Sequence, residues 1–337
     1  MKAALFRGVR DFGTEDIPDP RVGPHEVLLQ PLSVGVCGTD VHILEGHYPA
    51  RAPVVLGHEV SARVVQLGHD VTSVALGELV TVEPHKYCRA CAYCRLGMEH
   101  MCTNKEAFGV HLNGGMADLM VAPALNAYGV PDGISASVAA LTEPLSCCLH
   151  GMDRLATRSG LPFLVIGCGP AGAILIALAR LAGMNPVVAA DTRADRRDLA
   201  KRMGADVVLD AGSADFEASA VEATRGLGFP YLVDAVGSAT VWETCLRLSS
   251  RGAAMLAFGV APPDARARIS PNEIYTKEIT ILGTAVNPFT YSRAVGLLER
   301  LPLGELAVAT FPLGQANEAI EAVRQGASDK VQISPAA

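Results

Sequence analysis

The sequence predicts an α/β protein of two parts: a β-rich first half, then a half in which strands alternate with helices. Three observations predict it. Residues 1–145 carry short β-branched runs, "HEVLLQPLSVGV", "VVLGHEVSARVVQLG" and "GELVTVEPH", with Gly and Pro turn signals between them. That rhythm belongs to a small barrel-like β domain. From about residue 150, apolar strands alternate with helical segments, the pattern of βαβ units in a parallel sheet. Finally, 337 residues, half of them hydrophobic, exceed one ordinary core and suffice for two domains.

The elements of the second half follow in order. "FLVIG" (163–167) is a strand, "AGAILIALARLAG" (171–183) a helix and "VVAAD" (187–191) a strand. "RADRRDLAKRMG" is a helix, "ADVVLD" a strand, and a helix lies near 214–226. "YLVDAVG" (231–237), a helix near 240–249, "AAMLAFGV" (253–260) and "ITILGTA" (279–285) complete the sheet. These strands are apolar almost throughout, as expected where helices cover both faces. Beyond 286 come the helix "TYSRAVGLLER", the strand-like "VATFPL", the helix "QANEAIEAVRQG" and a final "KVQI". The expected boundaries are 1–148, 149–285 and 286–337.

Composition excludes several classes. The formal charge is −7 with no basic block, which argues against nucleic-acid partners and a polybasic membrane anchor. No apolar run reaches eighteen residues, so no membrane span is expected. The first residues lack the apolar core of a signal peptide. Nine cysteines in such a chain point to a reducing compartment, the cytoplasm, where clustered thiols bind metal or do chemistry.

"GCGPAG" (167–172) has the form G-x-G-x-x-G, closes a strand and opens a helix. Gly167 permits the tight turn, Gly169 lets the backbone approach a pyrophosphate, and Gly172 lets helix pack on strand; Pro170 and Ala171 lie between them. The helix N-terminus offers N–H groups to the phosphates. Nineteen residues on, Asp191 ends the next strand, placed to accept hydrogen bonds from the ribose hydroxyls of NAD and to repel the extra phosphate of NADP. Arg193 and Arg196 follow, and an Arg there is able to hold that phosphate, so NADP is the alternative. A mere packing turn is the bland one.

"YCRACAYCRLGMEHMC" (87–102) packs Cys88, Cys91, Cys94 and Cys102 into fifteen positions. Four thiolates close a tetrahedral zinc site with no water position, which makes the metal structural. A second constellation is needed for chemistry. "GVCGTDVH" supplies Cys37, Thr39, Asp40 and His42; "LGHEV" supplies His58 and Glu59; "LTEPLSCCLHG" supplies Glu143. A thiolate, an imidazole and a carboxylate make a three-ligand site with an open fourth position.

As an ordered set, C-G-T-D-x-H, G-H-E, the cysteine loop, E-P-L and G-x-G-x-x-G resemble the zinc-dependent alcohol dehydrogenases of the medium-chain dehydrogenase/reductase superfamily, over nearly the whole chain. E-P-L in place of a third catalytic Cys resembles the polyol, sugar and threonine dehydrogenase branch. The resemblance implies a GroES-like β domain, a Rossmann domain, and a C-terminal segment returning to the first, with the active site in the cleft between them. It implies two zinc ions per chain, one catalytic and one structural, with NAD as cofactor and a small alcohol or polyol as substrate. Cys37 and His58 match direct zinc ligands, and Glu59 and Glu143 share the remaining role. Thr39 matches the hydroxyl that takes the substrate proton, His42 the relay to solvent, and Asp40 a carboxylate orienting the metal-bound imidazole. A homodimer or homotetramer is implied. The chain departs from the pattern at Ala62, at "GELV" (77–80), and at Val286–Asn287, where sorbitol dehydrogenases carry an Arg-Tyr pair that contacts the polyol. Tyr48, Phe108 and His111 are candidates for lining the pocket or for ordinary packing. Rival readings are a zinc-free reductase, which would lack Cys37, His58 and the cysteine loop, and a non-catalytic NAD sensor, which has no need of Thr39 and His42.

Overall fold

The computed structural model describes residues 1–335. The chain divides into two units: one comprises Met1–Pro144, Pro288–Arg300 and the chain from Leu306 onward; the other comprises Leu145–Asn287 and Leu301–Glu305. The late segment therefore does not return as one piece, because Leu301–Glu305 stays with the second unit, where Leu301 and Leu303 are buried.

In the first unit the central strand is Glu26–Val36. Its exposure alternates at first and then becomes continuously buried, because it is covered on both faces toward its end. Strand Glu59–Leu67 lies antiparallel on one side. On the other side, Met120–Pro123 pairs with its first half and Lys330–Ser334 with its last residues. Pro31 sits where the register with Glu59–Leu67 slips, so its missing N–H falls at an irregularity rather than in a regular ladder. Val27, Leu29, Val34, Val60, Val64, Val80 and Val82 form the core of this unit. A hairpin of Lys2–Gly8 and Asp11–Asp16, which the sequence reading did not assign, pairs with Val54–Val55.

The second unit is a six-stranded, all-parallel sheet. Its order is Val207–Asp210, Val187–Asp191, Phe163–Ile166, Phe229–Asp234, Ser249–Ala257, Thr280–Gly283. The chain enters at the middle strand, steps outward one way, then restarts on the other side. The order reverses beside Phe163–Ile166, and a crevice at the carboxyl end of such a strand is where doubly wound sheets take ligands. All four residues of that strand are buried. Among the described residues no helix is long and apolar enough to cross a membrane.

Tyr291 shows how Pro288–Arg300 is tied into the first unit. Its ring is 1% exposed and lies 5.0 Å from that of Tyr128. Its hydroxyl donates to the Val82 carbonyl at 2.8 Å and lies 2.8 Å from Thr81 Oγ1. Tyr291→Phe keeps the ring and deletes this bridge, so it should lower unfolding free energy by about 1–2 kcal/mol. Urea denaturation measures the loss, and an unchanged midpoint would contradict the role given to the hydroxyl.

Candidate active site and metal centres

Cys37, His58 and Glu59 each present a ligand atom, and these atoms lie within 4.8 Å of one another. The backbone explains the convergence. Cys37 follows the central strand and caps helix Gly38–Glu45. Glu59 opens the neighbouring strand, opposite Gly35. Asp40 makes the geometry rigid: fully buried, it accepts the Cys37 N–H through Oδ2 at 2.9 Å, while Oδ1 faces His58 Nδ1 at 3.6 Å. That is ion-pair range, too long for a hydrogen bond. It leaves the other ring nitrogen of His58 for a metal, the arrangement in which a carboxylate orients a ligating imidazole.

The electrostatics favour a cation here. Burial would push the His58 imidazole down, but the Asp40 carboxylate and the Cys37 sulfur outweigh it and hold His58 well above its ordinary range. Soft sulfur, imidazole and carboxylate are a donor set that zinc accepts. The residues therefore fit a zinc ion.

Lys330 was not expected. Strand Lys330–Ser334 pairs with the central strand so that Val331 opposes Val36 and Gln332 opposes Gly35. This brings Lys330 Nζ to 2.7 Å from Glu59 Oε1 and 2.5 Å from Oε2, with the two side chains only 5% and 1% exposed. Burial lowers the ammonium's pKa, but Glu59, Cys37 and Glu143 more than offset it and the net shift is upward. The only hint in the sequence is a single lysine beginning an apolar strand. Glu143 is buried in the first turn of helix Thr142–Leu155 and acts on Lys330 electrostatically, yet it lies outside the 4.8 Å group of Cys37, His58 and Glu59.

Thr39 and His42 lie three residues apart on the helix that Cys37 caps, hence on one face. Exposure rises along it: Cys37 and Thr39 are half-buried and His42 is exposed. Cys37 Sγ and Thr39 Oγ1 are 3.7 Å apart. The other pocket candidates are placed differently. Phe108 packs in the apolar core, His111 Nδ1 accepts the Ala107 N–H at 3.2 Å, and Tyr48 is exposed. A cavity of about 550 Å³ elsewhere in this unit is lined by Glu83, Lys86, Tyr128, Phe289 and Tyr291 among others, and by none of the predicted site residues. Burial lifts Glu83 there to about 7, partly countered by the Tyr128 hydroxyl that donates to it at 3.1 Å.

Cys88, Cys91, Cys94 and Cys102 also gather their sulfurs within 4.8 Å, all as free thiols. Backbone N–H groups aim at them: Cys91 N donates to Cys88 Sγ at 3.3 Å, and Cys88 N and Asn104 N donate to Cys102 Sγ at 3.4 Å. Backbone N–H groups of Cys94 and Thr103 lower Cys91 to about 6, whereas burial and the adjoining sulfurs push Cys94 to about 12. Four sulfurs so arranged cannot all ionise without a cation among them, and a divalent ion of zinc's softness fits.

In the second unit Gly167 has φ +98°, and a Cβ on Gly172 would overlap the Gly167 carbonyl. Glycine is required at both. Gly169 caps helix Pro170–Leu181, with Pro170 in its first turn. Asp191 accepts the Cys168 N–H at 2.8 Å and the Arg193 N–H at 2.9 Å. Arg193 is paired with Asp195 at 2.6 Å, Arg197 with Asp210 at 3.2 Å, and Arg196 is buried.

Residues 23–132 match the alcohol dehydrogenase GroES-like domain, and residues 170–300 the zinc-binding dehydrogenase domain. D-arabinitol dehydrogenase 1 of Uromyces fabae is 31% identical over 99% of this chain and 97% of its own length. The chain belongs to the zinc-binding alcohol dehydrogenase family. It is accordingly a dehydrogenase of the zinc type, with the GroES-like and Rossmann architecture expected from its motifs. L-threonine 3-dehydrogenase of Bacillus licheniformis is 32% identical over 99% of both chains. A structure described as a zinc-binding dehydrogenase from Sinorhizobium meliloti, bound to NADP, superposes with TM-score 0.94 at 30% identity over 99% of both chains.

Within this family member the Glu59 carboxylate lies directly against Gly35, where a Cβ would overlap Oε2. Gly35→Ala should expel that carboxylate and cost the chain one bound zinc ion relative to wild type, with the cysteine loop still loaded. Metal analysis of wild type and variant purified side by side checks this; an equal zinc content would sink it.

Proposed function

We propose that the protein oxidises a secondary alcohol, a polyol, sugar or hydroxy amino acid, to a ketone by hydride transfer to NAD. The observation that carries this reading is the convergence of Cys37, His58 and Glu59 at the start of the helix that bears Thr39 and His42. Cys37, His58 and Glu59 would hold the catalytic zinc, and Glu143 stands nearby as the second carboxylate. When bound, zinc supplies a Lewis acid that lowers the pKa of an alcohol, as it does that of water. The chain's own residues do the rest. Thr39 Oγ1 takes the hydroxyl proton, and His42, exposed one turn on, delivers it to solvent. Asp40 keeps the His58 ring in place, and Lys330 balances the Glu59 carboxylate. Cys88, Cys91, Cys94 and Cys102 would hold a structural zinc ion.

Asp191 supports NAD. Two backbone N–H groups fix its carboxylate at the strand end, and Arg193 and Arg197 have carboxylate partners of their own. The Sinorhizobium neighbour binds NADP, so the preference for NAD rests on this residue. Gly167, Gly169, Pro170, Ala171 and Gly172 would form the phosphate turn, and Arg196, buried and acting electrostatically on the Cys168 thiol within that turn, would stand beside it. The relatives act on an arabinitol and on L-threonine, which supports the substrate class. Sorbitol fits less well: Asn287, at the position of the polyol-contacting pair, is fully buried and donates to Ser146 Oγ at 2.8 Å. A homodimer or homotetramer in the cytoplasm completes the reading.

A panel of polyols, sugars and hydroxy amino acids, assayed with NAD and with NADP by nicotinamide absorbance, tests the proposal; silence across the panel would reject it. Cys37→Ser should abolish turnover and leave NAD binding intact, followed by kcat and by a fluorescence titration of cofactor. Full turnover without zinc at that site would be incompatible with the scheme. Asp191→Ala should narrow the preference for NAD over NADP about tenfold or more. The ratio of kcat/KM for the two cofactors reports it, and an unmoved ratio would place discrimination elsewhere.

A further inference from the structure

One more set of ligating atoms converges among the described residues. His42, Glu45 and His47 each bring a candidate ligand atom within 4.8 Å of the others, and all three side chains are exposed. We propose that they form a third, solvent-facing zinc site, and that zinc captured there inhibits the enzyme by occupying His42.

The local backbone builds this site. His42 and Glu45 are three residues apart at the end of helix Gly38–Glu45 and so share a face. Gly46, at φ 79°, ends the helix in the left-handed region and turns the chain back. The N–H groups of His47 and Tyr48 then both donate to the His42 carbonyl, at 2.8 and 3.2 Å. The fold-back puts the His47 ring 6.1 Å from that of His42, and His47 Nδ1 3.4 Å from Glu45 Oε2. Two ligands held by tetrahedral zinc at 2.0–2.1 Å are about 3.3 Å apart. The His47–Glu45 pair therefore already has the spacing of one tetrahedral edge.

The surroundings are compatible. Arg324 Nε lies 3.3 Å from Glu45 Oε1, the oxygen not facing His47, and so holds the carboxylate while leaving Oε2 available. Arg324 also lies 3.3 Å from Glu321, which shares its charge. Two imidazoles and a carboxylate leave the fourth zinc position to water.

The effect on turnover rests on the relay role proposed above for His42. An imidazole whose lone pair is given to a metal cannot accept a proton at that nitrogen. Titration of the two-zinc holoenzyme with Zn²⁺, by calorimetry and equilibrium dialysis with turnover followed in parallel, tests both statements. Wild type should bind one further equivalent and lose turnover as it fills. His47→Ala and Glu45→Gln should each lose that equivalent, keep turnover in its absence and resist added zinc. No further equivalent in wild type, or one that survives both substitutions, overturns the site and leaves the relay untouched. A further equivalent that is lost in the variants but never slows turnover keeps the site and overturns the relay role of His42.

Discussion

The pairing of Glu59 with Lys330 is the constraint on which the first unit depends. Each ion costs several kcal/mol to remove from water, and only an excellent mutual geometry offsets that cost. The two residues are 271 positions apart in the chain. They meet because the central strand pairs on both sides at the same place, Gly35 opposing Glu59 on one strand and Gln332 on the other. Any other register of the last strand would leave an unbalanced carboxylate in the core. The C-terminal strand is thus bound to the first unit by electrostatic necessity as well as by its ladder, and Gly35 is the one residue type that leaves the carboxylate room.

The two candidate metal centres at Cys37 and in the cysteine loop gather their ligands by different means. Around Cys88, Cys91, Cys94 and Cys102 the partners are local, supplied by backbone N–H groups within the loop. Such a loop can be read from spacing alone, because everything it needs lies between Cys88 and Asn104. Around Cys37 the partners come from three strands and a helix cap, and only the fold assembles them. The difference matters chemically. A closed set of four sulfurs stabilises a lobe, whereas three unlike ligands leave a position where chemistry can occur.

The same distinction decides what was legible in the sequence. The inner strands Phe163–Ile166 and Val187–Asp191 of the second unit were readable because burial on both faces makes them apolar, and Gly167, Gly172 and Asp191 declare themselves by spacing. The hairpin Lys2–Gly8 and Asp11–Asp16 was missed because its second strand is half exposed and carries no clean alternation. Helix Pro271–Lys277 was missed because it buries none of its residues and so writes no stripe. Helix Gly38–Glu45 was read only as a run of site residues, although Asp40 also closes its capping box with Cys37. Lys330 was illegible for a stronger reason. Its identity is set by a carboxylate far away in sequence, and no local pattern encodes such a partner.

Asp191 shows the limit of reasoning from single positions. A carboxylate at the end of this strand favours ribose hydroxyls, yet nearby arginines could reverse that preference. What separates the outcomes is where the guanidinium groups are spent. Arg193 closes on Asp195, Arg197 on Asp210 and on the carbonyls of Asp191 and Thr192, and Arg196 is buried. A phosphate arriving at this strand end would meet a fixed negative charge before any uncommitted positive one. The sequence supplies the same residue types to either cofactor; under the proposed function the hydrogen-bond assignments of the fold would tilt them toward NAD.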